Sequence, residues 1–152
     1  MGAGETLLML VLLDSNVFLS ALLSPNGTPA HIVHAWRNGR FRLLTCQEQI
    51  EEVRAASRYP KFRKRLLPHH VGTMVNSLYE ADIWRGPTQR KHVAADPTDS
   101  FLLDLIDAAQ PDFAVTGDKR SGLLQLGTMG RTRILSVSEF GANVLHLRFL
   151  ST

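Results

Sequence analysis

The chain has 152 residues, 44% hydrophobic and 20% charged, with a net charge of +3 and a single cysteine. That composition suits one globular domain with a sizeable core and excludes a globally disordered chain. Cys46 has no partner for an intrachain disulfide, which fits a reducing, cytoplasmic setting.

In chain order, Met1 to Thr6 reads as a loose tail. Leu7 to Leu13 is apolar but short, and no Lys or Arg precedes it. It suits neither a signal peptide nor a membrane span, so Met9 to Leu13 is predicted as a strand buried on both faces. Helices follow over Val17 to Leu23 and Pro29 to Asn38, with Gly39 as a stop. Phe41 to Leu44 is a short strand, Cys46 to Ser57 a helix, and Pro60 opens another short one. Pro68 to Asp82 reads as a longer helix. Thr98 to Ala109 is strongly helical, with Asp96 as its cap and Pro97 at its first position. Phe113 to Thr116 and Arg133 to Val137 are strands, and Ser138 is placed as the cap of a final helix. Turn signals such as SPNGTP and WRGPTQ are too short to be linkers. Residues 1–152 are therefore expected to form a single domain with a core over about 9–145, of α/β class with a mainly parallel sheet.

Four carboxylates stand out. Asp14 directly follows the first apolar run, and Asp118 lies two residues beyond Thr116. Ligands of open α/β sheets bind at the carboxyl ends of strands, so both should reach one edge. Taken singly, each also reads as a turn aspartate that caps the next helix. On the Cys46–Ser57 helix, Ile50 and Val53 mark the apolar side, and Glu48 and Glu51 project away from it. Glu52 sits at the margin, where it either looks into a crevice or remains a surface glutamate. On the helix after Pro97, Asp104 and Asp107 project away from the apolar face. Asp99 falls on the core-facing side, where a charge is costly unless paired or metal-bound. The alternative is an interaction with the helix N-terminus alone.

Gathered carboxylates repel, and the usual reason to gather them is a hard divalent cation such as Mg²⁺ or Mn²⁺. Such ions lower the pKa of water and neutralise a scissile phosphate. His31 and His34 share a helix but lack a third partner for zinc, and no P-loop or dinucleotide fingerprint is present. Two basic clusters lie apart from the acids. One holds Arg58, Lys61, Arg63, Lys64 and Arg65, followed by His69 and His70, and the other Arg85, Arg90, Lys91 and His92. They read as solvated helix faces or as RNA-backbone contacts, which salt dependence would separate.

The segments LLDSNVFLSALL, EQIEEVRAASRYPKF, DPTDSFLLDLIDAAQPDFAVTGDKR and GRTRILSVSEF, in this order, resemble the PIN-domain nucleases. The likeness is greatest to bacterial toxins of toxin–antitoxin pairs, the virulence-associated protein C type, and runs from about Leu10 to Leu145. It implies a three-layer αβα PIN-like domain and a metal-dependent endoribonuclease using Mg²⁺ or Mn²⁺. Asp14, Glu52, Asp99 and Asp118 match the family's catalytic, metal-holding acids. Asn16 and Thr116 match supporting positions, and Ser15 replaces a common threonine there. Arg58, Lys61, Arg63, Arg85 and Lys91 are the candidate RNA-backbone contacts. The resemblance further implies an RNA substrate, a small antitoxin protein as partner and a homodimer. Two other classes stay open at this point. One is an RNA- or protein-binding module that keeps the fold without turnover. The other is a phospho-acceptor domain, disfavoured by the lack of an acidic pair after the first strand.

Overall fold

The computed structural model describes residues 8–87, 97–117 and 122–147, apart from the side chains of residues 97–100. Its centre is a six-stranded sheet in the order β3-β2-β1-β4-β6-β5. The strands are β1 (Leu10–Leu13), β2 (Arg42–Thr45), β3 (Asp82–Ile83), β4 (Phe113–Thr116), β5 (Thr128–Met129) and β6 (Thr132–Ser136). All pairings are parallel except that of the short β5 with β6.

Parallel strands need crossovers, and helices supply them. They are α1 (Ser15–Leu23), α2 (Thr28–Arg37), α3 (Gln47–Ala56), α4 (Pro60–Arg63), α5 (Pro68–Leu78), α6 (Pro97–Ala109), α7 (Leu123–Leu126) and α8 (Val137–Glu139). A π-helical turn over Phe140–Val144 continues α8. Alternate strand residues enter opposite layers, as the two-residue period of a strand requires. Val11, Leu13, Leu43, Val115 and Leu135 join the core beneath α1, α2, α3 and α5. Leu12, Leu44, Ala114 and Ile134 join the core beneath α6, with Leu102, Leu105 and Ile106. This is the three-layer αβα arrangement, and burial on both faces explains why these strands are continuous apolar runs.

The structure corrects the sequence reading at several elements. The helix from Pro68 stops at Leu78, not Asp82. Asp82 and Ile83 form an edge strand on Leu44 and Thr45, and Trp84 N–H donates to the Thr45 carbonyl at 2.8 Å. A two-residue strand has no periodicity to read, and only its partner defines it. The same holds for β5, which is built on β6 through a turn at Gly130. Ser136, not Ser138, caps α8: its hydroxyl accepts from Glu139 N–H at 3.0 Å, while the Glu139 carboxylate accepts from Ser136 N–H at 3.1 Å. That reciprocal pair needs a glutamate three residues on, which Ser136 has and Ser138 lacks. Cys46 precedes α3 as its cap residue and does not belong to it. Asp104 is buried, against the expectation of a surface position, and lines a cavity with Glu48 and Glu51 of α3 and with Trp84 to Gly86. Asp107 is exposed as expected. Asp96, the expected cap of α6, and the terminal stretches 1–7 and 148–152 lie outside the described residues.

Candidate active site at the ends of β1 and β4

β1 and β4 lie side by side, with Leu13 opposite Val115. Asp14 extends this pairing by one bond, its N–H donating to the Val115 carbonyl at 2.9 Å. The next residue on the neighbouring strand is Thr116, whose hydroxyl donates to Asp14 Oδ2 at 3.1 Å. Asp14 Oδ1 accepts from Asn16 N–H at 3.2 Å, so Asp14 is also the N-cap of α1. The side chain is only 3% exposed. These two donors, one from each neighbouring element, orient the carboxylate. Asn16 itself is exposed, while Ser15 and Thr116 are buried.

A buried polar network fixes the next element. The Thr45 hydroxyl, at the end of β2, donates to Gln49 Oε1 at 2.6 Å. Gln49 Nε2 donates to the Leu13 carbonyl at 2.6 Å and lies 3.5 Å from Ser15 Oγ. Thr45 and Gln49 are fully buried. The network therefore pins the first turn of α3 to the end of β1, right beside Asp14. Glu52 follows Gln49 by three residues, about one helical turn. It is partly buried, whereas Glu48 and Glu51 are exposed. Sequence reasoning did not single out Thr45 or Gln49. The available signal was a glutamine one turn ahead of a candidate acid, next to the apolar stripe.

On the other face, α6 runs back along the sheet. Its last residues reach the start of β1, where Ala109 and Gln110 lie near Leu8 to Leu10. Its earlier residues Leu102 and Ile106 line a small void of about 10 Å³ together with Asp14 and Thr116. The first turn of α6 therefore lies toward the end of the sheet that carries Asp14. Asp99 belongs to that first turn, but its side chain is outside the described residues, as is Asp118.

The remaining sequence candidates are dispersed. Arg58 and Arg63 line one pocket. Lys61 lies over the Phe62 ring, 4.9 Å from its centroid. Arg85 lines another pocket with Cys46, Glu48, Glu51 and Asp104. Lys91, with Arg90 and His92, is outside the described residues. His31 and His34 are exposed, and His31 Nδ1 is 2.8 Å from the Gly27 carbonyl. Burial pushes the Cys46 thiol pKa up, and the charges of Glu48 and Glu52 act in the same direction despite backbone donors that oppose them. That disfavours the thiolate and a nucleophilic role.

Oxygen donors of this kind suit a hard cation better than zinc. Among the described residues, no group of three or more His, Cys, Asp or Glu is brought together to hold an ion. Asp14 and Glu52 are the two expected ligands whose side chains are described. No described helix is long and apolar enough to cross a membrane.

A mainly parallel sheet between two helical layers, with a buried, hydrogen-bonded aspartate after its first strand, defines a three-layer α/β domain. A PIN domain family profile matches residues 10–120. The chain belongs to the PIN domain family, whose members are generally nucleases and typically use divalent metal ions. An uncharacterized protein of Methanocaldococcus jannaschii is 25% identical over 116 residues, covering 76% of this chain and 74% of that protein. No solved structure is a significant match.

Proposed function

We propose that the protein is a metal-dependent endoribonuclease. The observation that carries this reading is the placement of Asp14 in a PIN-family chain. The residue is buried at the end of β1 and oriented by Thr116 from β4 and by Asn16 N–H. A carboxylate so placed sits where open α/β sheets bind their ligands, at the carboxyl ends of the strands.

Asp14, Glu52, Asp99 and Asp118 would hold Mg²⁺ or Mn²⁺, which would neutralise the scissile phosphate and activate water. The protein's own residues supply the geometry. Thr116 fixes the rotation of the Asp14 carboxylate. Gln49 fixes α3, and with it the position of Glu52. The apolar layer of Leu12, Leu102 and Ile106 beneath Asp14 keeps bulk water from its inner side. Basic residues outside this cluster would meet the RNA backbone.

A role as the toxin of a bacterial toxin–antitoxin pair, with a small antitoxin partner and a homodimeric state, is a further proposal. It is supported by the motif resemblance alone. Arrested growth on induction in a bacterial host, relieved in Asp14→Asn, would support it.

The enzymatic reading is tested with purified protein and single-stranded RNA. Cleavage should require Mg²⁺ or Mn²⁺, stop with EDTA, leave 5′-phosphate and 3′-hydroxyl ends, and vanish in Asp14→Asn. Intact RNA binding without turnover in either metal would instead assign the chain to a binding module.

A further inference from the structure

A second pocket, away from Asp14, is bounded by α3, α4 and α5 and has a volume of about 350 Å³. That is at the lower end of the size range of small-ligand sites. Arg54, Arg58 and Arg63 line it, and no carboxylate does. Among the described residues, none of these three guanidinium groups makes an ion pair or side-chain hydrogen bond. The inner wall is apolar, formed by Leu66, Val71 and Val75, and Asn76 adds an exposed amide.

The structure thereby sorts the basic run that the sequence presents as one cluster. Arg58 and Arg63 face the pocket, joined by Arg54 from the preceding helix. Lys61 lies over Phe62, and Lys64 and Arg65 are exposed and do not line the cavity. Arg54, Arg58 and Arg63 are exposed as well, and what sets them apart is that they converge on one apolar-walled cavity.

We propose that this pocket is a nucleotide subsite. The arginines hold a phosphate, the Leu66–Val71–Val75 wall takes the base, and Asn76 hydrogen-bonds the base edge. Arginine forks match phosphate oxygens bidentately, and the unstacked bases of single-stranded RNA are recognised by stacking, guanidinium planes included, and by hydrogen bonds to their edges. An acidic peptide would meet the charge but would leave a base-sized cavity and the amide unused. The identification of RNA as the source rests on the nuclease reading, whereas the affinity for a nucleotide does not. The nucleotide can come from a bound strand or from a free mononucleotide.

Gly72 provides a clean probe. It lines the pocket on α5, and a Cβ there would meet no heavy atom within 4 Å. Because Gly72 lines the pocket, Gly72→Leu should take up part of its volume, and the open space around the Cβ lets the helix stay intact. Binding of a labelled RNA of about twelve nucleotides is measured by anisotropy in EDTA, where cleavage is absent. The double variant Arg54→Ala/Arg58→Ala should bind at least about tenfold more weakly, with a salt slope shallower by about 0.7 for each arginine removed. Gly72→Leu should weaken binding without lowering Tm. The control Lys64→Ala/Arg65→Ala should lose distinctly less. In the full chain, uridine monophosphate should shift the amide resonances of Gly72 and Asn76. Those shifts without any RNA cleavage would overturn the nuclease reading and keep the pocket. Absence of the shifts, or shifts only with a glutamate-rich peptide, would overturn the subsite. Equal RNA losses in the pocket and control variants would also overturn it.

Discussion

At Asp14 one side chain serves structure and function together, and the two can be separated by substitution. Asparagine can still cap α1, whereas alanine cannot. Asp14→Asn should therefore keep nearly normal stability and lose cleavage. Asp14→Ala should lose about 1 kcal/mol as well, read by urea unfolding. Gln49 is a positioning residue, satisfied by Thr45 on one side and by the Leu13 carbonyl on the other. Gln49→Leu leaves both of those buried groups short of a partner and should cost about 1–3 kcal/mol. It should also weaken metal binding in Asp14-intact protein through displacement of α3. Cys46 gives a pH test. Its pKa is raised mainly by burial, so the fold favours the neutral thiol. Its stabilising contribution is full below the ordinary thiol range and is lost as pH rises past it. Alkylation at mildly alkaline pH should be slower than for free cysteine, and should speed up on unfolding.

Among the elements, α5 carries a glycine without needing one. Gly72 lies within the helix, has no left-handed backbone and has open space where a Cβ would be. Gly72→Ala should stabilise the protein by up to about 1 kcal/mol, seen as a rise in Tm. Gly130 is the opposite case. Its φ is +61°, and a Cβ would sit 2.3 Å from Gln110 Oε1, the acceptor for Arg131 N–H. β1, β2, β4 and β6 are long enough to show apolar runs and were legible. β3 and β5 consist of two residues each and exist only through Leu44, Thr45, Thr132 and Arg133. Asp104 was misread for a related reason. A helical projection knows one face of the helix, and the residues that share a cavity with Asp104, from α3 and from Trp84 to Gly86, come from elsewhere in the chain.

For the whole molecule, the proposed metal site links folding to ion concentration. An ion that binds only the folded state stabilises it by mass action. Mn²⁺ should raise Tm in the wild type and should do so much less in Asp14→Asn. Equal shifts in both would place the ion elsewhere.

Local sequence by itself determined the alternation of strands and helices and the α/β class. The reason is that burial on both sheet faces forces runs such as Leu10–Leu13 to be apolar throughout. It also set Asp14 at a strand end, because the apolar run stops there. Only the folded chain decided which polar groups support that aspartate. Thr116 lies 102 residues from Asp14 and Gln49 lies 36 from Leu13. Their bonds arise from strand order and from the docking of α3 on the sheet, and no spacing along the chain encodes either one. The packing of α3, α4 and α5 likewise decided which members of one exposed basic run line a shared cavity, Arg58 and Arg63 but not Lys64 and Arg65.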